Sequence, residues 1–440
     1  MTRLFRRSGA PADLLVRGAR VLDRRAGVDG TLDVLVRGGE IAALGEALDA
    51  PAGTEVVDGA GRHLFPAWVD PHVHFRTPGQ EHKEDLATGT AAAAVGGYCA
   101  VVCMPNTSPT VDDASVLRSL SRAAERDAIV PVGFLASITR GLAGEELTEM
   151  AELRDTGALG FTDDGKPVVS AGILRRALQY QRLAGGVLAL HEEDPSLSVD
   201  GAMHEGEVSA LLGMAGIPSV SESTMVARDA ALATYEDGRL HFQHLSAAES
   251  VQAVAAAKER GARVTCEASP HHLALTDEAV RELDTRCKMN PPLRTERDRR
   301  ALIAGLRDGT IDCVATDHAP HARHEKEVPW EEAPMGTTGL ETAFAALYTE
   351  LVVPGVLPLE LIVDKLSAGA ATLDVPLPRL EAGAPADLVL VDLEATWEVG
   401  AAGYASKSEN CCFAGRTLQG RIELTVAAGA VAFAREAVSA

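Results

Sequence analysis

Apolar and polar positions follow one rhythm at the two ends of the chain and another in its middle. Residues 12–66 hold short alternating stretches, "ADLLVRGARVLD", "TLDVLVRGGEIAALG" and "TEVVDGAGRHLF", punctuated by Gly and Asp. From residue 386 onward the pattern returns, in "ADLVLVDLEATWEV" and "RIELTVAAGAVAF". Alternation with period two suits small antiparallel sheets covered on one face. Each end alone would bury little apolar surface, so the pattern predicts one composite β-sandwich domain, residues 1–66 with 381–440. Two separate flanking ribbons are the alternative.

Between the ends, residues 67–380 alternate continuous apolar runs with Ala-, Glu- and Arg-rich stretches. Eight runs follow in order: "LFPAWVD", "AVVCMPN", "VPVGFLAS", "LGFTDD", "GVLALHEE", "LHFQHLS", "RVTCEASP" and "CVATDHAP". Segments such as "SVLRSLSRAAERD" and "AESVQAVAAAKERG" between them suit helices. Eight strand–helix units predict an α/β fold of the (β/α)8 barrel type. A doubly wound open sheet is the rival, and no glycine-rich dinucleotide loop supports it. No fixed-period repeat or low-complexity linker interrupts the series.

Composition narrows the function classes. The net charge of −22 argues against a nucleic-acid partner or an anionic membrane surface. No stretch is long and apolar enough to span a bilayer. The start, "MTRLFRRSGAP", lacks the apolar core of a signal peptide and reads as a frayed end. Seven cysteines without a CxxC pair read as reduced, buried thiols of a cytoplasmic protein.

Chemistry gathers where a barrel places it, at the carboxyl ends of the runs. The first run continues into "DPHVHF", and period two puts His72 and His74 on one face. The fourth ends in Asp163 and Asp164, the fifth in His191, the sixth in His244 and the eighth in Asp317. One buried histidine is more often a hydrogen-bonded core residue than a ligand, but five strand ends agree. Nitrogen and carboxylate donors without thiolate suit Zn²⁺, with Mn²⁺ or Co²⁺ as other choices. The surplus of donors over one tetrahedral ion suggests two ions sharing a carboxylate, about 3.5–4 Å apart. Such equipment is hydrolytic.

"DPHVHFRTPGQEHKEDLATGTAAAAVGGY" with "MPNT", "FTDDG", "GAMHEG", "SPHHL", "KMNPPLR", "DGTIDCVATDHAPH" and "KEVPWEEAPMG" resembles the amidohydrolase superfamily. Within it the chain is similar to the dihydroorotases of the bacterial long-chain type, along essentially its whole length and in the same order. The resemblance implies a (β/α)8 barrel with a composite β domain, in agreement with the patterning. It implies that His72, His74 and Asp317 hold one zinc and that His191 and His244 hold a second, with Asp164 bridging. The residues themselves leave Asp163, Asp164 and a carboxylated Lys166 open as the bridge. The implied reaction interconverts N-carbamoyl-L-aspartate and dihydroorotate in pyrimidine synthesis. Arg76, Asn106 and His321 would clamp the substrate carboxylate, and Asn290 would touch the ring, as would His74, Met335 and Gly336. Asp317 would carry the proton between water and the leaving nitrogen.

Of the other histidines, His63, His82 and His241 read as solvated or structural, and His271 and His272 stay unassigned. His204 lies in a Gly- and Ser-rich stretch, 195–224, that reads as a flap. Glu192 stands where relatives often carry cysteine. A hydantoinase or allantoinase is the rival enzyme, and a silent scaffold for aspartate transcarbamoylase the rival of another class. An active chain in complex with aspartate transcarbamoylase, and a homo-oligomer, are further expectations.

Overall fold

The computed structural model describes residues 4–435. Eight parallel strands form the expected barrel: Trp68–Val73, Tyr98–Cys103, Val132–Phe134, Gly160–Thr162, Val187–Leu190, Leu240–Phe242, Val264–Ala268 and Cys313–Val314. We number them first to eighth. They are buried almost throughout, because helices cover the outside and side chains fill the inside. Strands one to three form one ladder and strands four to eight another. Single parallel bridges close the ring, Ala136 to Phe161 on one side and Val73 to His318 on the other. At the second seam the buried Asp70 carboxylate accepts from Thr316 Oγ1 at 2.5 Å and from the amide of His72 at 3.1 Å. Strand one is thereby fixed against strand eight just before both deliver their functional ends.

Each strand is followed by a helix that shields it. The amphipathic helix Ala114–Asp127 turns Leu117, Leu120 and Ala124 inward, and Asp113 caps it by accepting from Ser115 N. Glu296–Asp308 starts from a capping box, Thr295 with Asp298.

The two ends of the chain join in a single eight-stranded sheet. In spatial order its strands are Ala430–Ala434, Thr417–Ala427, Leu388–Glu398, His63–Pro66, Leu14–Asp23, Val28–Arg37 and Glu40–Gly45, with Glu55–Asp58 pairing alongside Leu14–Asp23. The join is antiparallel, Leu388 opposite Pro66 through Val391 opposite His63. The sheet curls over its own core, which includes Val16, Val21, Val34, Ile41, Leu64, Leu390 and Val426. Its two far turns meet where Gly39 and Gly429, both at positive φ, touch backbone to backbone. A Cβ on Gly39 would lie 2.8 Å from the Gly429 carbonyl oxygen, so only glycine fits there. The sheet lies on the barrel through Phe65, Val389 and Ile422, which belong to the main core, and Trp68 stacks on Phe344 at 5.5 Å.

The chain start departs from the frayed end read in the sequence. Phe5 exchanges both backbone hydrogen bonds with Val132, at 2.9 and 2.8 Å, and its buried ring packs on Phe134. Leu4 and Phe5 have apolar surface to hide, and the edge beside strand three accepts it. Residues 1–3 lie outside the described residues. The stretch 195–224 also folds: Met203–His204 pairs with Gly216–Ile217, and a short helix, Glu207–Leu212, lies between them. All seven cysteines are buried and unpaired.

Candidate active site

The carboxyl ends of the barrel strands converge on one cavity of about 240 Å³. His74, Arg76, Asn106, Asp164, His191, His244, Asn290, Asp317, His321, Met335 and Gly336 all line it, so every residue that the resemblance assigns to metal or substrate reaches it except the more deeply set His72. Three of these positions take left-handed backbone: Arg76 (φ +56), His244 (φ +32) and Asp317 (φ +48). Bulky side chains rarely adopt it, and its concentration here shows the strand ends bent to aim these groups inward.

Asp164 sits at the centre. Its carboxylate oxygens lie 3.4 Å from His72 Nε2, 3.4 Å from His74 Nε2, 3.6 Å from His244 Nε2 and 4.0 Å from His191 Nδ1. Asp317 faces His74 Nε2 at 3.2 Å and His72 Nε2 at 3.6 Å. Burial opposes ionisation of both carboxyls, but the surrounding histidines outweigh it and hold each below the usual carboxylate range. Burial likewise opposes charge on His72, and Asp164, Glu267 and Asp317 together raise its pKa.

The three candidates for the bridge separate clearly in space. Asp163 turns away, accepting from the amides of Ile138 and Thr139 at 2.8 and 3.0 Å. Lys166 is exposed. Only Asp164 enters the histidine cluster.

The cluster fits a bound metal. Two ring nitrogens, His72 Nε2 and His244 Nδ1, are buried without a hydrogen-bond partner, a costly state unless a ligand takes their lone pairs. Donor atoms of His72, Asp164 and His244 gather within 4.8 Å of one another, and so do those of His72, His74 and Asp317. The common member is His72.

Supporting residues surround these groups, and two of them, Glu267 and Glu193, were not singled out in the sequence. Glu267 of strand seven accepts from His72 Nδ1 at 2.7 Å and from the amide of His244 at 3.2 Å. His241 donates to the other Glu267 oxygen at 2.9 Å, so of its two readings, solvated or structural, the structural one holds. Asn106 accepts from His74 Nδ1 at 2.9 Å and donates to Asp164 at 3.1 Å. Glu193 contacts His191 Nε2 at 3.3 Å and accepts from Asn290 Nδ2 at 2.6 Å, and these contacts overcome its burial and hold its pKa at about 2. A glutamate in the middle of an apolar strand was a readable signal, because a buried carboxylate needs partners.

On the substrate side Arg76 is tied by Nε to the Pro320 carbonyl at 3.1 Å, which leaves the rest of its fork free to face the cavity. It pairs with neither Glu81 nor Glu84 among the described residues. His321 donates from Nε2 to the Met335 carbonyl at 2.9 Å, and burial, with Arg76 nearby, lowers its pKa to about 3. A neutral His321 leaves the positive charge of this end of the cavity to Arg76. Gly336 permits the close approach: a Cβ there would meet Ala319 and His321 at 3.0 Å or less. His271 and His272 do not line the cavity. They share Ser269 Oγ, and His272 holds the Pro291 carbonyl at 2.9 Å, beside Asn290.

The chain matches the family described as Dihydro-orotase-like over residues 61–250. It is 47% identical over 421 residues to a dihydroorotase of Pelotomaculum thermopropionicum, covering 95% of this chain and 98% of that protein. A dihydroorotase of Geobacter metallireducens is 44% identical over 96% of this chain and the whole of its own. The chain belongs to the dihydroorotase family. It is therefore a hydrolase of cyclic amide C–N bonds. The L-hydantoinase of Arthrobacter aurescens superposes with a TM-score of 0.85 at 26% identity, over 96% of each chain. A dihydropyrimidinase from Brevibacillus agri gives 0.82 at 23% identity, over 95% of this chain and 94% of its own, and shows the shared fold. No helix among the described residues is long and apolar enough to cross a membrane.

Proposed function

We propose that the chain interconverts N-carbamoyl-L-aspartate and L-dihydroorotate with zinc held by His72, His74, Asp164, His191, His244 and Asp317. The observation that carries this reading is the pair of unpartnered buried nitrogens, His244 Nδ1 in the cavity that also holds Arg76 and His72 Nε2 just behind it. When bound, the metal would lower the pKa of a water and polarise the amide carbonyl. Everything else falls to the chain's own side chains. Arg76 offers a planar fork to the carboxylate of the ring, and its Nε tie to Pro320 keeps that fork aimed. Asn290 is oriented toward the ring by Glu193. Asp317 borders the same space with its carboxylate kept ionised, ready to accept a proton from water and deliver it to the leaving nitrogen. In ring closure the same oxygen takes the proton from the attacking nitrogen. The division into a composite domain, 1–66 with 381–440, and a catalytic barrel, 67–380, belongs to this reading.

The donor set favours dihydroorotate over a hydantoin, because an Arg76 facing the cavity suits a substrate carboxylate that simple hydantoins lack. The test is hydrolysis of L-dihydroorotate by the purified chain, with zinc and after chelation. Turnover that chelation abolishes is expected. Asp317→Asn is expected to lower kcat by about 10²–10⁴-fold, and near-normal turnover in that variant would remove Asp317 from the proton path. Turnover with hydantoin alone would move the chain to the rival activity. Recovery only on adding aspartate transcarbamoylase would make the complex the working form.

A further inference from the structure

Behind the cavity, the barrel interior holds a continuous line of polar side chains where apolar packing is the rule. It runs from His72 to Glu267, from Glu267 to His241 and from His241 to Thr265, at 2.7, 2.9 and 2.8 Å. The first three residues of the line are buried. Thr265, at the far end, borders a second cavity on the opposite mouth of the barrel, beside Arg239, Arg263 and Asp312.

The donors and acceptors along this line follow from chemistry. An ionised carboxylate can only accept, and Glu267 has a histidine ring nitrogen against each of its two oxygens, at 2.7 and 2.9 Å. His72 therefore carries a proton on Nδ1, and its Nε2 is turned toward Asp164 and Asp317 at 3.4 and 3.6 Å. Gln243 Nε2, 3.3 Å from the same Nδ1, is the more distant neighbour and a donor itself, so it cannot take that proton. His241 in turn donates from Nε2, and its Nδ1 accepts from the Thr265 hydroxyl. The Thr265 hydroxyl has the Leu240 carbonyl as a second, more distant acceptor at 3.4 Å.

Glu267 does a second thing. The oxygen that takes the His72 proton also accepts the backbone amide of His244, whose own φ is +32. One carboxylate thus fixes the ring of a ligand from strand one and the strained backbone of a ligand from strand six. Those two residues, with Asp164, form one of the two donor groups, and His72 belongs to the other as well.

We propose that Glu267 is the positioning residue of the whole metal centre, with His241 and Thr265 as its fixed backing. It touches neither substrate nor metal and acts through His72 and His244. The inference rests on the metal reading given above. Outer-shell partners of this kind are typically worth 10–100-fold in metal affinity.

The experiment is a competition between the purified full chain and a chromogenic chelator for zinc, in the unmutated chain, Glu267→Gln and Thr265→Val, with circular dichroism confirming the fold of each. Glu267→Gln keeps the shape and removes the acceptor charge; a zinc affinity about 10–100-fold weaker is expected. Thr265→Val leaves Glu267 in place and releases only its backing, so a smaller weakening in the same direction is expected. If Glu267→Gln does not fold, Thr265→Val decides alone. Affinities within twofold of the unmutated chain in the folded variants overturn the proposal, since a purely structural role would move the melting temperature and leave zinc binding unchanged. An unmutated chain that holds no zinc would instead overturn the metal reading itself, and the two failures are told apart by which protein shows them.

Discussion

The two histidine pairs in the cavity are held in different ways. The rings of His72 and His74 each hand their Nδ1 proton to a partner, Glu267 and Asn106. Both partners stand on or just after barrel strands, and the tautomers are set before anything binds. His191 and His244 lean on each other instead, Nδ1 to Nε2 at 3.0 Å, and His244 Nδ1 has no partner. Glu267 holds the amide of His244 and Glu193 contacts His191 Nε2, while the loop after His244 is braced from outside the barrel. Glu222 accepts the amides of Ser246 and Ala247 at 3.1 Å, and Arg294 reaches Ser246 Oγ at 3.1 Å while also holding His204 of the 195–224 stretch. The first pair is therefore a pre-set half-site, while the second is completed by what it binds.

The sharpest way to break this contrast is to remove one ligand from each pair. His72→Asn is expected to strip zinc from both donor groups and lower kcat/KM by more than about 100-fold, beyond the usual cost of losing an outer-shell partner. His191→Asn is expected to leave zinc at His72, His74 and Asp317. Metal content after equilibrium dialysis reads this directly, and equal losses in the two variants would erase the distinction.

A smaller effect is expected from Glu193→Gln. That carboxylate touches His191 of the second pair and Asn290, the proposed substrate contact, and neither His72 nor His74, so zinc at the first group should stay while KM rises about 10-fold. Steady-state kinetics with metal analysis separates the two; a loss of zinc from the first group would mean that the pairs share their support.

The mildest probe is pH. Burial and then Arg294 lower the pKa of His204 to about 4, against an ordinary 6.5. Between those values the unfolded chain binds the extra proton, so the contribution is complete above pH 6.5 and is lost as the pH falls toward 4. The melting temperature should drop across this window by about 2–4 °C more in the unmutated chain than in His204→Asn. A parallel decline in both proteins would remove His204 from the account.

Much of this was legible in the sequence because it depends on local pattern. The eight apolar runs mark all eight barrel strands, and the histidines and aspartates singled out at their ends gather at one mouth, Asp163 excepted. What stayed hidden depends on packing between segments far apart in the chain. Asp163 and Asp164 are neighbours of the same type, and only the tertiary position of Thr139 shows which turns away. Glu267 and His241 sit on adjacent strands but point into the barrel behind the cavity, where sequence spacing gives no hint that they meet His72. Asn106 was read as a substrate contact, and the structure adds its bonds to His74 and Asp164. Phe5 shows the opposite limit: a charged, Arg-rich surrounding masked a residue whose apolar ring docks beside strand three.

The composite sheet imposes an order on synthesis. The strand His63–Pro66 precedes the barrel directly and pairs on one side with Leu14–Asp23, yet its partner on the other side begins only at Leu388. At roughly 5–20 residues per second, the ribosome spends some tens of seconds between making one and making the other. During that interval the amino-terminal strands present an open edge, the kind of surface that invites wrong pairing. The barrel emerges in between, so the later strands arrive at a template already anchored at Ala67, and their pairing closes the sheet.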